Sequence, residues 1–131
     1  MRIAMMVLMA LVCAALTACV SQREMIPPET RAELIRLGRI IIDETRGREE
    51  RKECMVQYRK IISNAIKEKG PNAVSRRTIV ESLNLKDDPR YLTHIYSIDN
   101  GNDTYYMLFI QYDNRDAAFV RWAVIDPEAT T

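Results

Sequence analysis

Three cysteines, one histidine, one tryptophan and four glycines are all that this 131-residue chain has of those types. Each scarcity excludes a class. A disulfide-stapled scaffold is denser in cysteine. A structural zinc site needs four nitrogen or sulfur ligands, more than His94 and the one cysteine left usable beyond the leader and its end, Cys54, can supply. There is no Gly-x-Gly-x-x-Gly, no phosphate loop and no Gly-x-Ser-x-Gly elbow. A formal net charge of +1 excludes a disordered polyelectrolyte and gives no concentrated basic footprint for nucleic acid. The longest apolar run falls short of the roughly 20 residues that a membrane-spanning helix needs. What is present is an ordinary globular composition, 47% hydrophobic and 28% charged, at a length that suits one domain.

The apolar run comes first. Met1-Arg2 is a minimal positive start, Ile3 to Leu16 is apolar without a break, and Thr17-Ala18-Cys19 follows. This is the layout of a secretory leader. Leu16-Thr17-Ala18-Cys19 resembles the lipobox of bacterial lipoproteins. The resemblance implies a signal peptide over 1–18, cleavage before Cys19 and a lipid thioether on that thiol. It implies palmitate or a similar acyl chain on the new amino group, since several chains are needed to hold a protein on a bilayer. Cys13 would leave with the leader. Val20, where an aspartate would retain such a lipoprotein in the inner membrane, implies the outer membrane, facing the periplasm, in a Gram-negative host. Elsewhere the implied location is a lipid anchor on the cell membrane.

Residues 19–28 are expected to form the lipidated N-terminus and a short tether, closed by Pro27 and Pro28. Residues 19–77 carry 14 basic and 9 acidic side chains, and residues 78–131 carry 4 and 9, so the halves differ by sign at +5 and −5. The basic half lies nearest the anionic lipid surface in this arrangement. With Cys19 alkylated, Cys54 has no partner for an intramolecular disulfide.

The single domain is expected over 29–127, with a tail at 128–131. Broadly helical spacing of Ala32, Leu34, Ile35, Leu37, Ile40, Ile41 and Ile42 predicts a helix over 29–44. A stripe of Cys54, Tyr58, Ile61, Ile62, Ala65 and Ile66 predicts a second over 48–69, ended by Gly70-Pro71. Ser75 is placed to cap a third over 76–84. The period then changes to two. Strands are expected over 92–98, 104–112 and 117–125, separated by a hairpin turn at Asp99–Asp103 and a turn at Asp113–Asp116, and ended by Asp126-Pro127. The fold class that results is α+β: three helices followed by a three-stranded antiparallel meander, in two layers. A short helix before a curved meander, over about 75–125, is similar to the SmpA/OmlA-type small outer-membrane lipoproteins, one of which serves a β-barrel assembly machine. Asn84–Pro89 lacks the glycine of that family's turn and the helix over 48–69 departs from its compact helical pair, so no functional residue carries over.

No catalytic constellation is expected. His94 has Ser97 and Asp99 near in sequence, but Ser97 falls on the opposite strand face, so a triad cannot assemble there. Asp99-Asn100-Gly101-Asn102-Asp103 has oxygen ligands around a glycine but not the twelve-residue calcium loop. The expectation is no enzyme, no metal and no cofactor. Binding remains. Tyr91, Tyr96, Tyr105, Tyr106, Phe109, Tyr112, Phe119 and Trp122 cluster in the last third, and aromatic residues are enriched at interfaces. In strand 104–112 the set Tyr105, Met107, Phe109 alternates with Tyr106, Leu108, Ile110. One set must face the helices, and the other is expected to contact a partner; both are apolar, so sequence does not assign them. The function expected is non-enzymatic protein binding by a lipid-anchored envelope protein, as an accessory subunit of an assembly or secretion complex. The alternative is an inhibitor or immunity lipoprotein against an exported toxin or lysozyme.

Overall fold

The computed structural model describes residues 24–130. Three helices precede a three-stranded antiparallel sheet: α1 Pro28–Ile42, α2 Arg48–Lys69, α3 Arg76–Leu83, β1 Thr93–Gly101, β2 Thr104–Tyr112 and β3 Val120–Thr130. The strands are ordered β1-β2-β3, so β2 is central. The protein is an α+β fold, as its change of hydrophobic period requires.

Local chemistry sets the helix ends. Pro28 opens α1, where its missing N–H costs nothing. Gly70, at φ +88°, stops α2 and its N–H bonds Ile66 O at 2.9 Å. The Ser75 hydroxyl accepts the Thr78 N–H and caps α3, and Asn84 closes it in the left-handed region at φ 48°. α1 stops two residues before the expected Glu44, because the Asp43 N–H turns back to Ile40 O.

α1 packs against α2 and α3, and α2 lies on the sheet, most extensively along β3. The shared core takes Leu34, Leu37 and Ile41 from α1, Met55, Tyr58 and Ile62 from α2, and Ile79 and Leu83 from α3. The sheet contributes Ile98, Leu108, Ile110, Tyr112, Val120 and Ala123. Gly38 marks the crossing of α1 and α3. A Cβ there would sit 2.2 Å from the Ser82 carbonyl oxygen, inside any permitted contact. Ser82 in turn bonds the fully buried Tyr58 hydroxyl, so a polar pair is sealed beneath that crossing.

The strands depart from expectation at four ends, the slightest being the start of β1 at Thr93 and not Leu92. β1 continues through Asp99, Asn100 and Gly101, and the reversal is made by Asn102 and Asp103, both with positive φ near 57°. The Asn-Gly pair therefore precedes the turn, and the residues in the turn are the next two. β3 begins at Val120, not Ala117, because Ala117 takes a positive φ of 56° that breaks the extended chain. β3 also runs past Asp126-Pro127 to Thr130, absorbing the residues 128–130 assigned to a tail. A register irregularity between Tyr105 and Met107 takes up Pro127 on this edge strand, where no ladder hydrogen bond is required of it.

Residues 24–27, placed in the tether from sequence, are packed on the domain. The backbone N–H groups of Met25 and Ile26 bond the Ala73 carbonyl, at 3.0 and 3.2 Å, and Ile26 is buried. The next chain over, Val74–Arg76, lines the beginning of β3: Val120 N–H bonds Val74 O and Arg76 N–H bonds Ala118 O, both at 2.8 Å. The Glu24 carboxylate accepts hydrogen bonds from the Ser75 N–H and from the Ser75 and Thr78 hydroxyls, so it reinforces the cap of α3.

Candidate functional site

β-strand alternation divides the two residue sets of β2. Leu108, Ile110 and Tyr112 are buried under the helices, with Tyr106 packed against that core. Tyr105, Met107 and Phe109 lie on the other face, which no helix covers. Cross-strand register extends the open face sideways. Ile95 pairs with Phe109 and Phe109 with Val124, which makes one apolar row across all three strands. Trp122 stands in the neighbouring row opposite Gln111. Ile95 is 52% exposed, Val124 45% and Trp122 41%. Tyr91 and Leu92, in the chain just before β1, are also exposed. Isolated exposed apolar residues are common on monomers, but a contiguous row is not. At the other end of the face Asp126 pairs with Met107, and Asp99 with Tyr105, so the rim there is acidic.

Sequence singled out only β2 for this face. Ile95, Trp122 and Val124 are the additions, and their signal was the same period of two. Ile95 lies between the polar Thr93 and Ser97 on its face, and Trp122 and Val124 share a face by simple alternation; the bulge at Arg121, opposite Gln111-Tyr112, is what puts Val120 on the other face.

His94 is on the helix side, buried, in a polar cluster beneath the loop that joins α3 to β1. Its Nδ1 shares a 2.7 Å hydrogen bond with the Tyr112 hydroxyl, and its ring meets that of Tyr112 edge-on. Its Nε2 has no hydrogen-bond partner and stands 4.0 Å from Asp87 Oδ1. Arg76, also buried, donates to Asp87 at 2.8 Å and to the Tyr91 and Asp88 carbonyls at 2.6 and 2.7 Å, while stacking on the Tyr112 ring. The guanidinium thus ties the 84–92 loop to the sheet. Burial, and then the nearby Arg76 charge, hold the His94 pKa below its ordinary value against the opposing pull of Asp87. Burial pushes the Tyr112 hydroxyl up, out of reach of physiological pH. Ser97 and Asp99 are on the opposite face of β1, so no nucleophile faces the imidazole from them. The cluster is a neutral-histidine clamp.

The Asp99–Asp103 segment is accounted for by the hairpin: the Gly101 N–H bonds Asp99 Oδ1 at 2.7 Å and the Thr104 hydroxyl bonds Gly101 O at 2.8 Å. Among the described residues no group of three or more histidine, cysteine or acidic side chains is arranged to hold a metal ion. Cys54 is a buried free thiol whose pKa is raised by burial. Among the described residues no helix is long and apolar enough to cross a membrane. The leader over 1–18, the lipidation residue Cys19 and tether residues 20–23 lie outside the described residues. Comparison of the chain with protein-family models, with curated proteins and with solved structures finds no match.

Proposed function

We propose that this protein is a lipid-anchored envelope component that acts by binding another protein, through the open face of its sheet. The observation that carries the reading is the row Ile95–Phe109–Val124, with Trp122 beside it, on the side of the sheet away from the helices. Interfaces concentrate aromatic and large apolar side chains in this way, and Trp and Tyr dominate their energetics. The anchor rests on the lipobox-like Leu16-Thr17-Ala18-Cys19. A partner embedded in or attached to the same bilayer, such as a subunit of an assembly or secretion complex, would meet this face at high local concentration. The acidic rim at Asp99 and Asp126 supports the second reading, an inhibitor of a cationic exported toxin or lysozyme.

The test is photocrosslinking in intact cells, with a photoreactive residue placed singly at Ile95, Trp122 or Val124 and, as controls, at the helix-surface residues Arg36 and Lys60. The proposal expects a discrete crosslinked protein from the sheet positions alone. An envelope-resident partner supports the first reading, and a small cationic one the second. Crosslinks from the helix positions with none from the sheet would overturn both.

A further inference from the structure

The two edges of the sheet are not alike. β3 is guarded: Val74 covers its start, and the strand carries Arg121, Asp126, Pro127, Glu128 and two register irregularities. These are the usual means by which an edge is kept from pairing with another chain. β1 has few of them. Asp99 is its one charged residue, it has no proline or lysine, and its only irregularity falls at the hairpin end. Among the described residues, the outer edge of β1 makes no backbone hydrogen bond to another element.

A groove runs alongside this edge. The loop after α1 and the start of α2 form its far wall with Glu44, Arg46, Arg48 and Arg51, and residues 96–99 form the near wall, so three guanidiniums line it against the two carboxylates of Glu44 and Asp99. Arg46 is already paired with Asp43 and Glu50. Arg48 and Arg51 have no carboxylate within ion-pair distance among the described residues. The Arg48 guanidinium donates to the Asn100 carbonyl at 3.0 Å, and that of Arg51 to the Ile41 carbonyl at 2.7 Å and the Tyr96 hydroxyl at 3.4 Å. Both guanidiniums thus retain unused donors beside an unpaired strand edge, and carboxylates are their natural complement.

We propose that the outer edge of β1 accepts an extended segment of a partner protein as a fourth strand. The segment alternates acidic side chains, turned toward Arg48 and Arg51 on the helix side, with apolar side chains that lengthen the Ile95–Phe109–Val124 row on the open side. Main-chain hydrogen bonds supply the affinity of such a complex, and the two alternating environments supply its specificity. The opposite charge pattern is rejected, because a lysine on the helix side would meet two unpaired guanidiniums. This names the partner class for the protein-docking reading and rests on it.

The test uses the full-length protein in detergent micelles and short synthetic peptides of alternating valine and glutamate. The expected result is saturable binding, with the largest amide shifts at residues 93–99. Arg48→Gln should weaken it roughly fivefold, the worth of one charge-assisted contact at a partly exposed site. Because Arg48 is exposed, this variant is expected to fold; Arg51→Gln is the second, more disruptive variant. A peptide N-methylated on its pairing edge, and one with lysine in place of glutamate, should both fail to bind. The proposal is overturned if the valine–glutamate peptide does not bind, if the lysine or N-methylated peptide binds equally, or if Arg48→Gln binds as the wild type does. It is overturned as well if the edge is filled by a second copy, seen as a concentration-dependent dimer that Ser97→Lys abolishes. None of these outcomes removes crosslinks from Ile95, Trp122 and Val124, so the two proposals fail separately.

Discussion

Leu108 and Phe109 are adjacent, both large and apolar, and point to opposite worlds. Leu108 has no exposure and touches the helical core, whereas Phe109 stands in the open row between Ile95 and Val124. Leu108→Ala should cost about 2–5 kcal/mol through lost burial and a cavity. Phe109→Ala should cost clearly less, about 1 kcal/mol, since its truncation opens no enclosed cavity. Urea melts of the two variants check the order, and equal losses would mean that the second face is also covered. His94 gives a pH prediction of definite sign. Its folded pKa lies below the ordinary value, so the unfolded chain takes up the proton first. The stability held by the neutral imidazole is present above about pH 6.5 and is lost as pH falls toward the lower folded value. Because this is the only histidine, denaturant midpoints between pH 7.5 and 5 report on it directly. His94→Asn should flatten that slope; an unchanged slope would locate the titration elsewhere.

At the scale of elements, Gly38 and Glu24 hold the helices in place. The α1–α3 crossing leaves no space for a methyl group at Gly38, and the obstructing atoms are the backbone of Ser82. Gly38→Ala should therefore destabilise the domain by about 1–3 kcal/mol, despite alanine's better helix propensity, because backbone cannot yield as a flexible side chain does. A thermal melt decides this, and a rise in midpoint would show that the helices separate freely. Helix periodicity made α1 visible from its apolar residues, but Gly38 was invisible, since the reason for it lies forty-four residues away in Ser82. Glu24 acts on the N-terminus of α3 in the same non-local manner. Glu24→Gln removes the charge that suits a helix N-terminus while leaving an acceptor, with an expected loss of roughly 0.5–1 kcal/mol.

Over the whole molecule, the docked Glu24 shortens any tether. If Cys19 carries the lipid, five residue steps separate it from Glu24, a reach of at most about 18 Å. The Glu24 end of the domain is then held next to the bilayer. Cys19→Ser should abolish labelling by palmitate and leave an unprocessed precursor, and unchanged labelling would remove the anchor from the account. Cys54 gives the complementary check on the soluble part: buried among Met55, Tyr58 and the α1 core, its thiol should resist maleimide in the folded protein and react only on unfolding.

Sequence alone determined what local physics controls. The 3.6-residue recurrence of Leu34, Leu37 and Ile41, the cap at Ser75, the stop at Gly70 and the alternation in 104–112 each act within a few residues, and each was legible as a helix, an end or a strand. The α+β order followed from them. The lipobox-like resemblance is local in the same sense, carried by the four adjacent residues Leu16-Thr17-Ala18-Cys19. Tertiary structure decided the rest. Tyr105, Met107 and Phe109 are as apolar as Tyr106, Leu108 and Ile110, so only the side on which α2 settles could separate surface from core. Register decided that Val124 joins Ile95 in one row across Phe109, with Trp122 in the row beside it. The groove beside β1 exists because the start of α2 returns to the sheet, an encounter across some fifty residues that no local pattern encodes.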